Sequence, residues 1–134
     1  MPRDILVYGH GDKSTNGFPS SAHLEEYIKS GVFRDVGGRY RYSQRKRADI
    51  VILSRDGLAF GHFEIDSMEE PTPADKDAYP PVKKVYLVRK SVLFGNKVRL
   101  SDVGIFRYQF GKHVSEGDFK KILAMAGRTN TYDP

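Results

Sequence analysis

The stretch "ADIVILSRDGLAFGHFEID", residues 48–66, constrains the fold more than any other part of the chain. Its first half is an unbroken apolar run rich in β-branched side chains, which suits a buried strand. Its second half alternates apolar and polar positions, the period of a strand with one covered face. Between them "SRDG" supplies hairpin-turn chemistry. A chain carrying this pattern must build an antiparallel hairpin into its core.

The neighbouring segments extend it. "GGRYRYS" (37–43) alternates as a strand, and "VKKVYLVRKSVLF" (82–94) returns to strand before "GN" as a turn, so the centre predicts an antiparallel meander. "DILVYG" (4–9) reads as an opening strand that ends in the glycine-rich turn "GHGDKSTNG". Leu24, Tyr27 and Ile28 at helical spacing predict a helix over 21–30, with Ser20 or Ser21 as cap and Gly31 as stop. Residues 66–81 hold four prolines and five acids and read as a loop. "RLSDVGI" suggests a helical turn and "FRYQFGKHV" a last strand. Ser115 and Asp118 then resemble a capping box before Phe119, Ile122, Leu123 and Ala126 on one helical face, closed by Gly127.

With 134 residues the chain suits one domain over 1–127 followed by a frayed tail, 128–134. A domain of this size buries about two thirds of its unfolded surface, so it needs no metal or disulfide to fold. The chain has no cysteine, which excludes disulfides, thiolate metal sites and cysteine nucleophiles. Its apolar runs fall short of a membrane span and no signal-like segment opens it, so we expect a cytoplasmic protein or an excised domain of one, without a membrane partner. The expected class is α+β: a small, mostly antiparallel curved sheet or barrel with two helices, the barrel being the most economical form because closure removes exposed strand edges.

Charge points to a partner. The net charge is +5, and it is segregated: residues 56–77 hold seven acids against Lys76, while residues 82–99 hold no acid. In "RYRYSQRKR" (39–47) five of nine residues are basic and none is acidic. A polarised surface of this kind suits an anionic polymer. We therefore single out Arg39, Arg41, Arg45, Lys46 and Arg47, joined by Lys83, Lys84 and Arg89, as phosphate contacts, with Tyr40 and Tyr42 available to stack on bases. The bland counterpart is a solvated strand edge with half-buried tyrosines. Ser14, Thr15 and Asn16 in the first loop could read a base edge, although the loop matches neither nucleotide-cofactor spacing. His10, His23, His62 and His113 show no metal spacing, and His62 reads as a structural histidine.

The order of these elements resembles the PUA-like superfamily, which includes the EVE, YTH and ASCH domains. Three features carry the resemblance: the strand leading through "KSTNG" into a helix, the 48–66 hairpin with Ala48-Asp49 and Phe60-Gly61 at characteristic places, and "KKVYLVRKSVLFGNKVRLSDVGIFR" before the last helix. It spans roughly residues 4–126. The resemblance implies nucleic-acid binding, DNA or RNA, with a modified or flipped base held between the first loop, the helix and the barrel mouth. It implies no cofactor and no chemistry of the domain's own, and it allows a fused or partner effector domain. The pocket would draw on Ser14, Thr15, Asn16, Phe18, Tyr40, Tyr42 and Phe60. YTH-type pockets usually use tryptophan and this chain has none, so an aromatic cage would have to come from Phe18, Phe33, Tyr40, Tyr42 or Phe60. The ASCH "GxKxxExR" signature is absent as well.

A rival reading is enzymatic. The same hairpin resembles the core of PD-(D/E)xK nucleases, in which Asp49 and Glu64 would hold Mg²⁺ and the metal would activate water. Asp66 stands where that family usually has the lysine that orients the water.

Overall fold

The computed structural model describes residues 4–10, 28–29, 32–35, 49–55, 57–77, 84–106 and 111–132. Among the described residues there are seven strands: β1 (Ile5–His10), β2 (Val32–Asp35), β3 (Ile50–Arg55), β4 (Leu58–Glu69), β5 (Lys84–Arg99), β6 (Gly111–Val114) and β7 (Thr129–Tyr132). Two helices, α1 (Pro73–Asp77) and α2 (Glu116–Ala126), and a 3₁₀ turn at Leu100–Val103 complete the described elements. Ile28 and Lys29 are helical, as expected for 21–30. The remainder of that helix and the strand expected at 37–43 lie outside the described residues.

The central hairpin forms as its pattern requires, with β3 antiparallel to β4 from Ile50↔Glu64 to Arg55↔Leu58. The strand order is β2-β5-β4-β3-β1-β6, with β7 also paired to β5. The expected meander forms: β3, β4 and β5 follow one another antiparallel, and the sheet is mostly antiparallel. Beside it β1 runs parallel to β3, from Ile5↔Ile50 to His10↔Arg55, which takes a long crossover and makes the sheet mixed. The expected closure is corrected, for the sheet is open: among the described residues β6 pairs only with β1, and β2 and β7 only with β5.

The apolar pattern explains why closure is unnecessary. A small closed barrel has one interior face on every strand. Here the central strands are apolar on both faces. Ile5, Val7, Ile50 and Ile52 join one core cluster, while Leu6, Tyr8, Val51 and Leu53 join the other. Helix α2 seals the first cluster with Phe119, Ile122 and Ala126, and Ile28 belongs to the second. Burial of side chains such as Phe119 and Ile122 stabilises by about 1.5–3 kcal/mol each. The Ser115 hydroxyl caps α2 by accepting from the Asp118 amide at 3.1 Å, the bond expected from sequence.

Three further differences have local causes. Strand β4 continues to Glu69 and α1 follows, so much of 66–77 is regular structure and not loop. "GN" is no turn between strands: residues 94–97 bulge from a continuous β5, opposite Phe60 alone. The tail is not frayed over 129–132, because β7 pairs with Ser91–Phe94 of β5.

Gly61 is held in place by packing. A Cβ there would run into the side chain of Ile28 and lie 2.5 Å from the Val92 carbonyl oxygen. Backbone cannot yield as a side-chain tip can, so Gly61→Ala is expected to destabilise the fold by roughly 1–3 kcal/mol. A denaturant titration checks this, and an unchanged midpoint refutes it.

Candidate nucleic-acid interface

Most of the basic and pocket residues singled out from sequence lie outside the described residues: Ser14, Thr15, Asn16, Phe18, Arg39, Tyr40, Arg41, Tyr42, Arg45, Lys46, Arg47 and Lys83. Their points of attachment are nonetheless defined by strand register. His10, the last described residue before 11–20, stands beside Arg55, and Arg55 pairs with Leu58, itself opposite Arg99. One row across four strands thus carries the exit of the first loop and two arginines. Residues 36–48 are tethered at the other end, between Asp35, which faces Lys84, and Ile50, which faces Ile5 and Glu64.

The two candidate segments therefore start from opposite ends of the sheet. Tethering does not keep them apart. Thirteen residues, 36–48, can extend about 40 Å, while a six-residue strand such as β1 is only about 20 Å long.

Among the described candidates the roles diverge. Phe60 is 3% exposed and packs with Leu6, Tyr8 and Phe63 in the second core cluster. It serves the interior, because the register shift between Ala59 and Gly61 breaks the alternation and sets its ring in the same core as Phe63, three residues on; this differs from the pocket position that the resemblance implies. Lys84 opens β5 opposite Asp35. Arg89 projects into solvent at 65% side-chain exposure, yet its guanidinium donates to Glu64 Oε1 at 3.1 Å. Lys90 reaches the other oxygen of Glu64 at 3.6 Å, and His62 Nε2 lies 4.0 Å from it. A phosphate approaching Arg89 would compete with this carboxylate.

His62 is the structural histidine expected from sequence. It is 4% exposed and packs against the rings of Phe94 and Phe119, with centroids 5.9 and 5.1 Å away.

The nuclease constellation does not assemble among these residues. Ile50, not Asp49, stands opposite Glu64. The Asp49 carboxylate instead accepts the Asp4 amide at 2.9 Å and fastens the start of β1. Among the described residues no three His, Cys, Asp or Glu side chains gather as a metal site. The readings differ in sign at Glu64. With Arg89 and Lys90 released, Glu64→Ala is expected to leave nucleic-acid affinity equal or higher and to change stability by under about 1 kcal/mol, since exposed ion pairs contribute little. A nuclease would instead lose Mg²⁺-dependent cleavage.

Sequence reasoning missed one aromatic. Phe106 is 59% exposed, although phenylalanine is usually buried. It follows Ile105, whose amide donates to the Leu100 carbonyl, and Leu100 in turn donates to Gly57. Phe106 therefore belongs to the end of the sheet where the first loop departs. "IFRYQF" alternates like a strand, so its pattern predicts half-burial and hides this exposure.

No family model matches the sequence, and no curated protein matches it. Among solved structures the chain is similar to the YTH domain of the Zygosaccharomyces rouxii MRB1 protein in complex with N6-methyladenosine RNA. The TM-score is 0.53 over 92% of this chain and 88% of that one, at 13% identity. The fold is YTH-like. The open, mixed α+β sheet fits a YTH-like fold, and YTH is one of the three domains that the sequence resemblance named. At this identity the YTH-like backbone is what the two chains share.

Proposed function

We propose that this chain is a nucleic-acid-binding domain and that its ligand is RNA carrying a modified base. One observation carries the reading: nearly the whole backbone is similar to a domain that was solved holding N6-methyladenosine RNA. The charge pattern supports it, with five cations and no acid in residues 39–47. In this reading Arg39, Arg41, Arg45, Lys46 and Arg47 hold phosphates, while the first loop offers Ser14, Thr15 and Asn16 to a base edge. Single-stranded RNA suits such a site because its bases can be turned out and stacked. Tyr40, Tyr42 and the exposed Phe106 supply rings where tryptophan is absent.

The deciding experiment is a titration of matched single-stranded RNAs with and without one N6-methyladenosine, beside DNA of the same sequence. Tighter binding of the methylated RNA is the expected result. Equal affinity for all three would leave a general nucleic-acid binder, and no binding to any would end the reading. Phe106→Ala is expected to weaken RNA binding by about 1–3 kcal/mol, the range for loss of one stacking ring. Unchanged affinity in that variant would remove Phe106 from the interface.

A further inference from the structure

A second group of cations comes from residues outside 39–47. Two segments of the chain contain no acid, 84–99 and 119–132. They are far apart in sequence, but β7 pairs with β5, and α2 packs on β5 as well. The junction is specific. The bulge at 94–97 presses on the end of α2, and the Gly95 amide donates to the Arg128 carbonyl at 2.6 Å. A Cβ on Gly95 would collide with that carbonyl, so only glycine allows so close an approach. The contact seats the bulge that carries the exposed Lys97 against the backbone of Arg128, whose side chain is exposed as well. Arg99 continues the line toward the row where the first loop departs, and Lys121 continues it along the exposed side of α2.

We infer that this corner is a second RNA contact surface, holding the phosphate backbone of nucleotides that flank the bound base. The inference rests on the RNA-binding reading and extends it. Four exposed cations from two acid-free segments supply a basic strip along this corner. Exposed Asn96 adjoins Gly127 and exposed Thr129 stands opposite Phe94, and both can donate to phosphate or ribose oxygens. Strand-end amides and hydroxyls interleaved with cations suit a nucleic-acid backbone better than a lipid surface, which would call for a broad apolar face.

The test is a Lys97→Ala/Lys121→Ala/Arg128→Ala variant of the full chain, titrated with RNAs of increasing length around the same central base. All three side chains are exposed, and a thermal melt verifies the fold. The expected result is unchanged affinity for the shortest RNA, a loss of tenfold or more for the longest, and a log–log salt slope shallower by about 2, at about 0.7 per single-strand contact. Equal affinity of variant and wild type at every length overturns the inference and leaves the RNA reading intact. A loss that is the same at every length also overturns it, because the strip would then belong to the base pocket. If the wild type binds no RNA of any length, both readings fall together.

Discussion

Replacing Arg45, Lys46 and Arg47 together by alanine is expected to lower RNA affinity roughly a thousandfold at physiological salt. Three adjacent cations repel one another, and in the proposed reading an RNA backbone supplies the anion that offsets this. A charge-assisted hydrogen bond contributes about 1.5 kcal/mol or more, and three of them account for that loss. The salt dependence gives a second, independent reading. Each lost phosphate contact should lower the log–log slope by about 0.7 on single strands and about 0.9 on a duplex. Affinity measured across a salt series therefore counts the contacts as well as weighing them. A variant that matches wild type in both affinity and slope would show that this segment is a solvated coat.

Phe63→Ala is expected to cost about 3–5 kcal/mol of folding stability, the usual penalty for emptying a phenylalanine site in a core. Phe63 is fully buried and sits midway along β4, opposite Val51 of β3 and Ser91 of β5. Its cluster includes Tyr8, Ile28, Phe60 and Tyr86, contributed by β1, the helical residues, β4 and β5. Truncation opens a void that all of these must fill, and they are held by two-sided pairing and cannot close in. For a domain of this size each kcal/mol shifts Tm by roughly 3–5 °C, so a drop beyond 10 °C is the expected reading. A shift of only a degree or two would mean that the second core cluster is looser than its burial indicates.

The contrast between these two positions marks where the sequence was legible. The 48–66 hairpin, the Ser115 cap and the apolar face of α2 are local patterns, and each formed where the spacing placed it. His62 also resolved as the pattern suggested. The candidate site was less legible. Phe60 has the same local alternation as any strand aromatic, and only its neighbours on β1 and β3 make it a core residue. Arg89 reads as a free cation until β5 is laid beside β4, where Glu64 meets it.

Local periodicity, capping and turn chemistry act within a few residues, so the amino-acid order alone sufficed for β1, the central strands, the last helix and the segregation of charge, but not for β2 or β7. Pairing between distant segments depends on which apolar faces find cover. That choice set β1 parallel to β3, left the sheet open, recruited 129–132 as an edge strand and brought Gly95 to Arg128. A strand apolar on both faces announces that it will be buried, but not which neighbours will bury it.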